Sequence, residues 1–327
     1  MSSIVVIGSS NTDMILRLSR IPAPGETVLG GSFATAAGGK GANQAVAVAR
    51  LGGKAVFVAR VGGDIFGEQA IARFRDEGIN AGQMHIGKDA ASGVAFIFVD
   101  DNGENCIGVA PGANAQLCPA DIDAASEAIF GADAVVIQLE IPIATVEYAA
   151  ARAHAAGVPV ILNPAPAQPL SAELLRYVSV ITPNESEAEL LTGISICDEA
   201  SAALAAEKLH AAGVPVVIIT LGARGAFCSN ADTRLSRILP GFKVNAVDVT
   251  AAGDVFNGAI AVALAEGQDL ESAIVYGNAA AAMAVTLPGA QPSIPYRADV
   301  LRFLEEHAVT LNGAWLIPGS PHPAPVQ

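Results

Sequence analysis

The chain has 327 residues, enough for one large α/β domain or two ordinary ones. It is 52% hydrophobic, 15% charged and 5% aromatic, a composition that builds a sizeable core and excludes global disorder. A formal net charge of −14 argues against nucleic acid or an anionic membrane as partner, because both need basic patches; a nucleotide substrate would have its charge met locally.

The first residues, Met1-Ser2-Ser3-Ile4-Val5-Val6-Ile7-Gly8, carry no basic segment and no long apolar run, so they read as a first strand and not a signal peptide. Further short apolar runs at 56–61, 135–139, 158–162, 178–181 and 214–220 end in polar or Gly/Pro-rich turns. Near-continuous hydrophobic strands of this kind predict a parallel sheet buried on both faces. Ala-rich stretches at 43–51, 66–77, 143–156, 185–191 and 199–212 supply the intervening helices. The expected fold class is therefore α/β, three layers doubly wound around a mostly parallel sheet. Thr182-Pro183-Asn184-Glu185 predicts a helix start with Thr182 as N-cap, Pro183 at the first helical position and Glu185 closing a capping box.

Two regions break the alternation. Residues 14–35 are strand-like around Pro22-Ala23-Pro24-Gly25, and 92–110 hold two alternating strands around Asp101-Asn102-Gly103, a hairpin signal. They predict a small antiparallel β-sheet, placed as a lid over the carboxyl ends of the parallel strands. The expected organisation is a main domain of 1–13, 36–91 and 111–307, a lid of 14–35 and 92–110, and a Pro-rich tail of 308–327.

Cys106, Cys118, Cys197 and Cys228 are widely spaced and read as buried free thiols. His85, His154, His210, His307 and His322 form no metal-ligand spacing. No apolar stretch is long and unbroken enough to span a membrane, so a soluble cytoplasmic protein is expected. No GxSxG elbow occurs, which disfavours a serine hydrolase.

Polar clusters recur where strands end. Asp248-Val249-Thr250-Ala251-Ala252-Gly253-Asp254 runs into an apolar stretch at 255–264. Small residues at a helix start let backbone N–H groups approach an anion, with the helix dipole in support. Asp254 would repel a phosphate but suits a base acting on its attacker; the alternative is a capped turn. Gly38-Gly39-Lys40-Gly41-Ala42-Asn43-Gln44 allows close backbone approach to a small polar ligand, with Asn43 either a ligand or an N-cap. It is not a Walker A loop, and the turn Gly8-Ser9-Ser10-Asn11 lacks GxGxxG, so a dinucleotide oxidoreductase is a distant reading. Asn11-Thr12-Asp13 can bind neighbouring sugar hydroxyls or form a plain turn. Gln138-Leu139-Glu140 and Asn163-Pro164-Ala165-Pro166 end two more strands, and Glu140 could hold a hydroxyl. Asn184-Glu185-Ser186-Glu187 offers a carboxylate for water on Mg²⁺ or a solvated first-turn acid. Thr220-Leu221-Gly222-Ala223-Arg224-Gly225 could admit nucleotide phosphates, with Arg224 adding charge.

Together these motifs resemble the ribokinase-like (PfkB) family of carbohydrate kinases, from the first strand to about residue 305. The resemblance implies ATP-dependent phosphorylation of D-ribose at its 5-hydroxyl, with Asp254 as base and Ala251, Ala252 and Gly253 as the anion hole. Asn11, Asp13, Gly39, Lys40, Gly41, Ala42, Asn43 and Glu140 would bind the sugar. Asn184, Glu187, Thr220, Leu221, Gly222, Ala223, Arg224, Gly225, Gly253 and Asn278 would serve ATP and Mg²⁺. Asp248, Thr250, Ala284, Leu287, Gly289 and Ser293 would hold an activating K⁺, several through carbonyls. The lids of two chains would clasp into a homodimer. Asn278 departs from the His familiar in some relatives, and Thr250 would act through its carbonyl whatever its side chain. The rival readings are a kinase for deoxyribose, fructose or adenosine, and a non-catalytic sugar or nucleotide sensor on the same fold.

Overall fold

The computed structural model describes residues 1–309, so the expected tail beyond that point lies outside the described residues. The chain runs β1 (Ser3–Ile7), β2 (Asn11–Arg17), β3 (Ser32–Gly38), α1 (Lys40–Arg50), β4 (Lys54–Gly62), α2 (Ile65–Asp76), β5 (Met84–Gly87), β6 (Gly93–Val99) and β7 (Asn105–Ala110). The middle holds α3 (Pro119–Ala124), α4 (Ser126–Phe130), β8 (Ala134–Ile137), α5 (Ile143–Ala155), β9 (Val160–Leu162), α6 (Ala172–Tyr177), β10 (Val180–Ile181), α7 (Glu185–Thr192) and α8 (Glu199–Ala211). It closes with β11 (Val216–Thr220), β12 (Ala226–Asn230), β13 (Leu235–Leu239), α9 (Ala252–Ala265), α10 (Leu270–Ala284) and α11 (Arg297–Glu306).

Nine strands form the main sheet in the order β13-β12-β11-β10-β9-β8-β1-β4-β5. All its pairings are parallel except β11–β12 and β12–β13, which are antiparallel. The apolar runs follow from burial on both faces. Along β1, Ile4 and Val6 enter one core with α1, α9 and α10, while Val5 and Ile7 enter a second core with α5 and α8. Successive side chains of a strand point to opposite faces, so only a strand covered on both sides can be apolar throughout. Each fully buried Val or Ile there contributes roughly 1.5–3 kcal/mol over an exposed one. This is the α/β doubly wound fold that the alternation predicts.

The second sheet has four strands in the order β3-β2-β6-β7. β2–β3 and β6–β7 are antiparallel, but β2 pairs parallel to β6, so the sheet is mixed and not purely antiparallel. The two hairpins are separated by α1 through β5, and they join side by side with Asn11 opposite Gly93.

Two local expectations need correction. Helix α7 starts at Glu185 with Asn184 as N-cap, not Thr182. Thr182 is already committed: its N–H donates to Leu162 O as the strand runs on, and its hydroxyl donates to Asn257 Oδ1 at 2.6 Å. The capping box forms two residues later, between Asn184 and Glu187. The cysteines are free, but only Cys228 is buried. Cys106 is exposed because it lies on β7, the edge strand of the small sheet, and Cys197 is exposed in the loop before α8.

Candidate active site

The carboxyl ends of β1 and β8 and the starts of α1 and α9 converge on one carboxylate, Asp254. Helix α1 begins at Lys40, three residues before the expected start, with Gly39 as its N-cap at φ 91°. A Cβ on Gly39 would meet Asn11 N at 2.8 Å, and one on Gly41 would meet Ser9 N at 2.6 Å. Glycine at these two positions lets the helix start lie directly on the β1–β2 turn. That packing buries Ala42 completely, and its N–H donates to Ser9 O. Gly41 and Ala42 therefore act through backbone approach and core packing.

Asn43 lies inside the helix, one turn in, and does not cap it. Its Nδ2 donates to Asp254 Oδ2 at 2.9 Å, while its Oδ1 is buried with no partner. Gln44 Nε2 donates to the other oxygen, Asp254 Oδ1, at 2.9 Å. Asp254 is thus held by side chains from another helix, which decides against a simple capped turn. It is 5% exposed. Burial pushes its carboxyl above the ordinary value, with Glu140 acting the same way, against Lys40, Asn43 and Gln44, which favour the charged form.

Around it sit the other charges. Glu140 Oε2 accepts from Ser9 Oγ at 2.5 Å and from Lys40 N at 3.0 Å. Burial works against the Lys40 ammonium, but Asp254, Glu140 and Glu187 outweigh it and hold its pKa above the ordinary value. Asp13, on β2, is pushed up to about 6 by burial first and by Glu140 second. Asn11 Oδ1 accepts from Asn114 Nδ2 at 2.7 Å. Glu187, in its capping box, is buried rather than solvated; burial raises its carboxyl and Asp254 adds to this, against the Asn184 N–H and Lys40.

On the other side, α9 starts without any side-chain cap. Ala251 takes the left-handed conformation at φ 61°, which costs a non-glycine residue about 1–2 kcal/mol. A Cβ on Gly253 would meet nothing within 4 Å. Ala252 and Gly253 open onto a cavity of about 380 Å³, lined also by Thr220, Gly222, Ala223, Gly225 and Asn278. The Ala252 N–H turns back to Val249 O at 3.3 Å, so an anion at this helix start would draw first on the Gly253 N–H and the helix dipole. Asn278 Nδ2 donates to Leu239 O and Pro240 O, which fixes the turn leading to Gly241. Leu221 is buried and does not line the cavity, and Arg224 pairs with Glu185 at the surface.

Asp248 ties two loops together. Its Oδ1 accepts from Thr250 N and Thr250 Oγ1, and its Oδ2 from Gly289 N at 2.8 Å. Burial opposes its ionised form, but these hydrogen bonds prevail and hold its carboxyl below the ordinary value. Ala284 is buried, Leu287 is exposed, and Ser293 Oγ donates to Ala290 O. Among the described residues no group of three or more His, Cys, Asp or Glu side chains is arranged to hold a metal ion. A larger cavity of about 570 Å³ includes Leu287 and Ser293 but none of the sugar or nucleotide candidates. Of these two cavities, the smaller one reaches the α9 start.

Sequence reasoning gave no role to Ser9, Gln44, Asn114 or the 241–246 cavity wall. Gln44 had a signal: a polar residue in the same run as Asn43, on a helix otherwise dominated by alanine and valine. The cavity wall had none, because Gly241, Phe242, Lys243 and Val244 line it as irregular loop.

The fold and this site define a sugar kinase of the ribokinase-like class. A family model described as pfkB family carbohydrate kinase matches residues 1–297, and the chain belongs to that family. It is 46% identical over 303 residues to the ribokinase of Haemophilus influenzae, covering 93% of this chain and 98% of that one. It is 38% identical over 293 residues to the deoxyribokinase of Salmonella typhimurium, covering 89% and 95%. The structure of Arabidopsis thaliana ribokinase complexed with ribose and ATP matches with a TM-score of 0.89 and 33% identity, over 93% of this chain and 99% of that one.

Proposed function

We propose that this chain is an ATP-dependent ribokinase, transferring the γ-phosphoryl group of ATP to the 5-hydroxyl of D-ribose. The observation that carries the reading is Asp254. Its buried, doubly hydrogen-bonded carboxylate follows directly on a helix start, Ala252-Gly253, that lines a cavity. A hydroxyl bound against Lys40, Asn43, Glu140, Asn11 and Asp13 gives its proton to Asp254 as it attacks phosphorus in line. The N–H groups of the Ala251-Ala252-Gly253 turn stabilise the charge that spreads over the phosphoryl oxygens. The adenosine end takes the cavity wall of Thr220, Gly222, Ala223, Gly225 and Asn278. Residues 14–35 and 92–110 act as a lid that excludes water as a competing acceptor.

Glu187 and Asn184 fit an Mg²⁺ ion carried in with the nucleotide, since Mg²⁺ keeps several waters and takes few protein ligands. When bound, Mg²⁺ neutralises phosphate charge. Asp248 fits a K⁺ site through Oδ2, which accepts one hydrogen bond and retains a lone pair, whereas Oδ1 accepts two from Thr250. The K⁺ would also take carbonyls near Thr250, Ala284, Leu287, Gly289 and Ser293. Replacing K⁺ with tetramethylammonium lowers activity on this reading, and indifference to the swap removes the site. Phe33 and Phe96 are exposed on one face of the small sheet and Ile107 and Val109 on the other, and such apolar exposure suits a homodimer clasped lid to lid. The working enzyme is taken as soluble and cytoplasmic.

The test is ADP release measured with ribose, 2-deoxyribose, fructose and adenosine. Release that needs a sugar and is fastest with ribose is expected. Preference for 2-deoxyribose would move the reading to a deoxyribokinase, and no release with any acceptor would leave a sensor.

A further inference from the structure

Behind Asp254 lies a chain of buried amides that no step of the reaction uses. Gln138 Nε2 donates to Gln44 Oε1 at 2.5 Å. Gln44 Nε2 donates both to Asp254 Oδ1 at 2.9 Å and to Asn163 Oδ1 at 3.1 Å. Asn163 Nδ2 donates to Thr182 O, Thr182 Oγ1 to Asn257 Oδ1, and Asn257 Nδ2 to Gly253 O at 2.8 Å. Gln44, Gln138, Asn163, Thr182 and Asn257 are all buried.

The polarity of this chain is fixed. A flipped Gln44 would set its amide oxygen against two other oxygens, on Asp254 and Asn163. Its Oε1 must then face Gln138, which must present Nε2 and leave its own Oε1 without a partner beside Gly8. A buried unpaired acceptor is costly, so the arrangement spends stability to aim donors at the carboxylate. Both oxygens of Asp254 face N–H donors, from Asn43 and Gln44. Asn43, whose Oδ1 has no partner, can turn to accept a proton that Asp254 holds, but Gln44, locked by Gln138 and Asn163, cannot.

Resting on the kinase reading, we propose that Gln44 is a positioning residue: backed by Gln138, it holds Asp254 oriented and ionised, and through Asn163, Thr182 and Asn257 it ties the base to the peptide of Gly253. The charged groups facing Asp254 are Lys40 from α1, Glu140 from the turn after β8 and Glu187 from α7. Only Lys40 favours the anion, and it is shared among three carboxylates. The amide donors supply the remaining bias.

The experiment is the pH profile of kcat at saturating ribose, where sugar affinity no longer sets the acid limb. Gln44→Leu should move that limb up by about one to two pH units, the scale of a lost hydrogen bond to a charged group. Gln138→Leu should move it less, and should add nothing in the Gln44→Leu background, because it acts through Gln44. If Gln44→Leu does not fold, Gln44→Met, of similar length, and Gln138→Leu read the same limb. A uniform fall in kcat with an unmoved limb, or additive shifts in the double variant, would overturn the proposal. Wild-type protein without sugar-dependent ADP release would instead overturn the kinase reading and is seen before any variant is made.

Discussion

The two halves of the site are built from different materials. On the proposed kinase reading the acceptor half is made of side chains: Asp13, Lys40, Asn43, Glu140 and Asp254, buried or half-buried, with Asn43 bonded to Asp254, 211 residues away, and Glu140 to the Lys40 N–H, 100 residues away. The nucleotide half is made of backbone and small residues: Gly222, Gly225, Gly241, Ala252 and Gly253 around a cavity of about 380 Å³. Polar recognition of a small sugar needs directional partners, because a site built to hydrogen-bond a hydroxyl rejects analogues that lack it. A phosphate chain needs N–H groups and room. The halves should therefore fail differently when altered.

The largest effect belongs to the residue where they meet. Asp254→Asn removes the base but keeps the shape, and kcat should fall by ~10²–10⁴-fold. The variant should still fold and bind ribose. Its new amide N–H₂ would face a donor, but Asn43 Oδ1 has no partner and can turn to accept it. Calorimetric ribose binding near the wild-type level beside lost turnover is the expected pair of results; near-normal kcat would end the base assignment. Next comes Gly253→Val, on the nucleotide half. The added side chain has space, but that space is where phosphate oxygens would lie. Turnover should fall by about 10²-fold through misplacement, with ribose affinity unchanged. Weakened ribose binding in this variant would show that the halves are not separable.

The acceptor half also carries a pH signature. Asp13 is raised from 3.8 to about 6, by burial and Glu140. The folded chain therefore holds this proton more tightly than the unfolded chain. Its contribution to stability is present below pH 3.8 and is lost as pH rises through about 6. Sugar affinity runs the other way, because the ionised carboxylate is the hydroxyl acceptor. The KM for ribose should rise as pH falls below about 6. Asp13→Asn should raise it by roughly 10- to 100-fold and remove the pH dependence, with the KM for ATP unmoved. A persisting acid rise in that variant would assign the titration elsewhere.

This difference in materials also decided what could be read from the sequence. The sheet was legible because strands buried on both faces must be apolar throughout, as in β1 and β8. The acceptor residues were legible because they stand as polar clusters where such strands stop. The cap of α7 was placed two residues early because Thr182-Pro183-Asn184-Glu185 contains two candidate caps, Thr182 and Asn184. Choosing between them requires knowing that Thr182 reaches Asn257, 75 residues away. β12 and β13 form an antiparallel edge with no strong alternation, and β13 is partly exposed, so neither gave a clear pattern. The 241–246 wall was invisible because shape, not residue type, makes it part of the site.

The smallest predicted effect tests whether the nucleotide half is as free of side-chain chemistry as its lining suggests. The sequence offers Arg224 as a phosphate ligand, since it lies in the glycine-rich turn after β11. The structure pairs it with Glu185, both partners more than a third exposed, while Gly222, Ala223 and Gly225 around it line the cavity. An exposed pair contributes under about 1 kcal/mol, and solvent screens the charge further. Arg224→Ala should leave the KM for ATP within about twofold of wild type and kcat unchanged, because neither partner is fixed toward the cavity. A rise in the ATP KM of tenfold or more, about 1.4 kcal/mol, is too large for a screened surface pair. It would mean that Arg224 leaves Glu185 when nucleotide binds and becomes a charged clamp on the phosphates. The nucleotide half would then resemble the acceptor half, with a directional side chain where backbone alone now suffices.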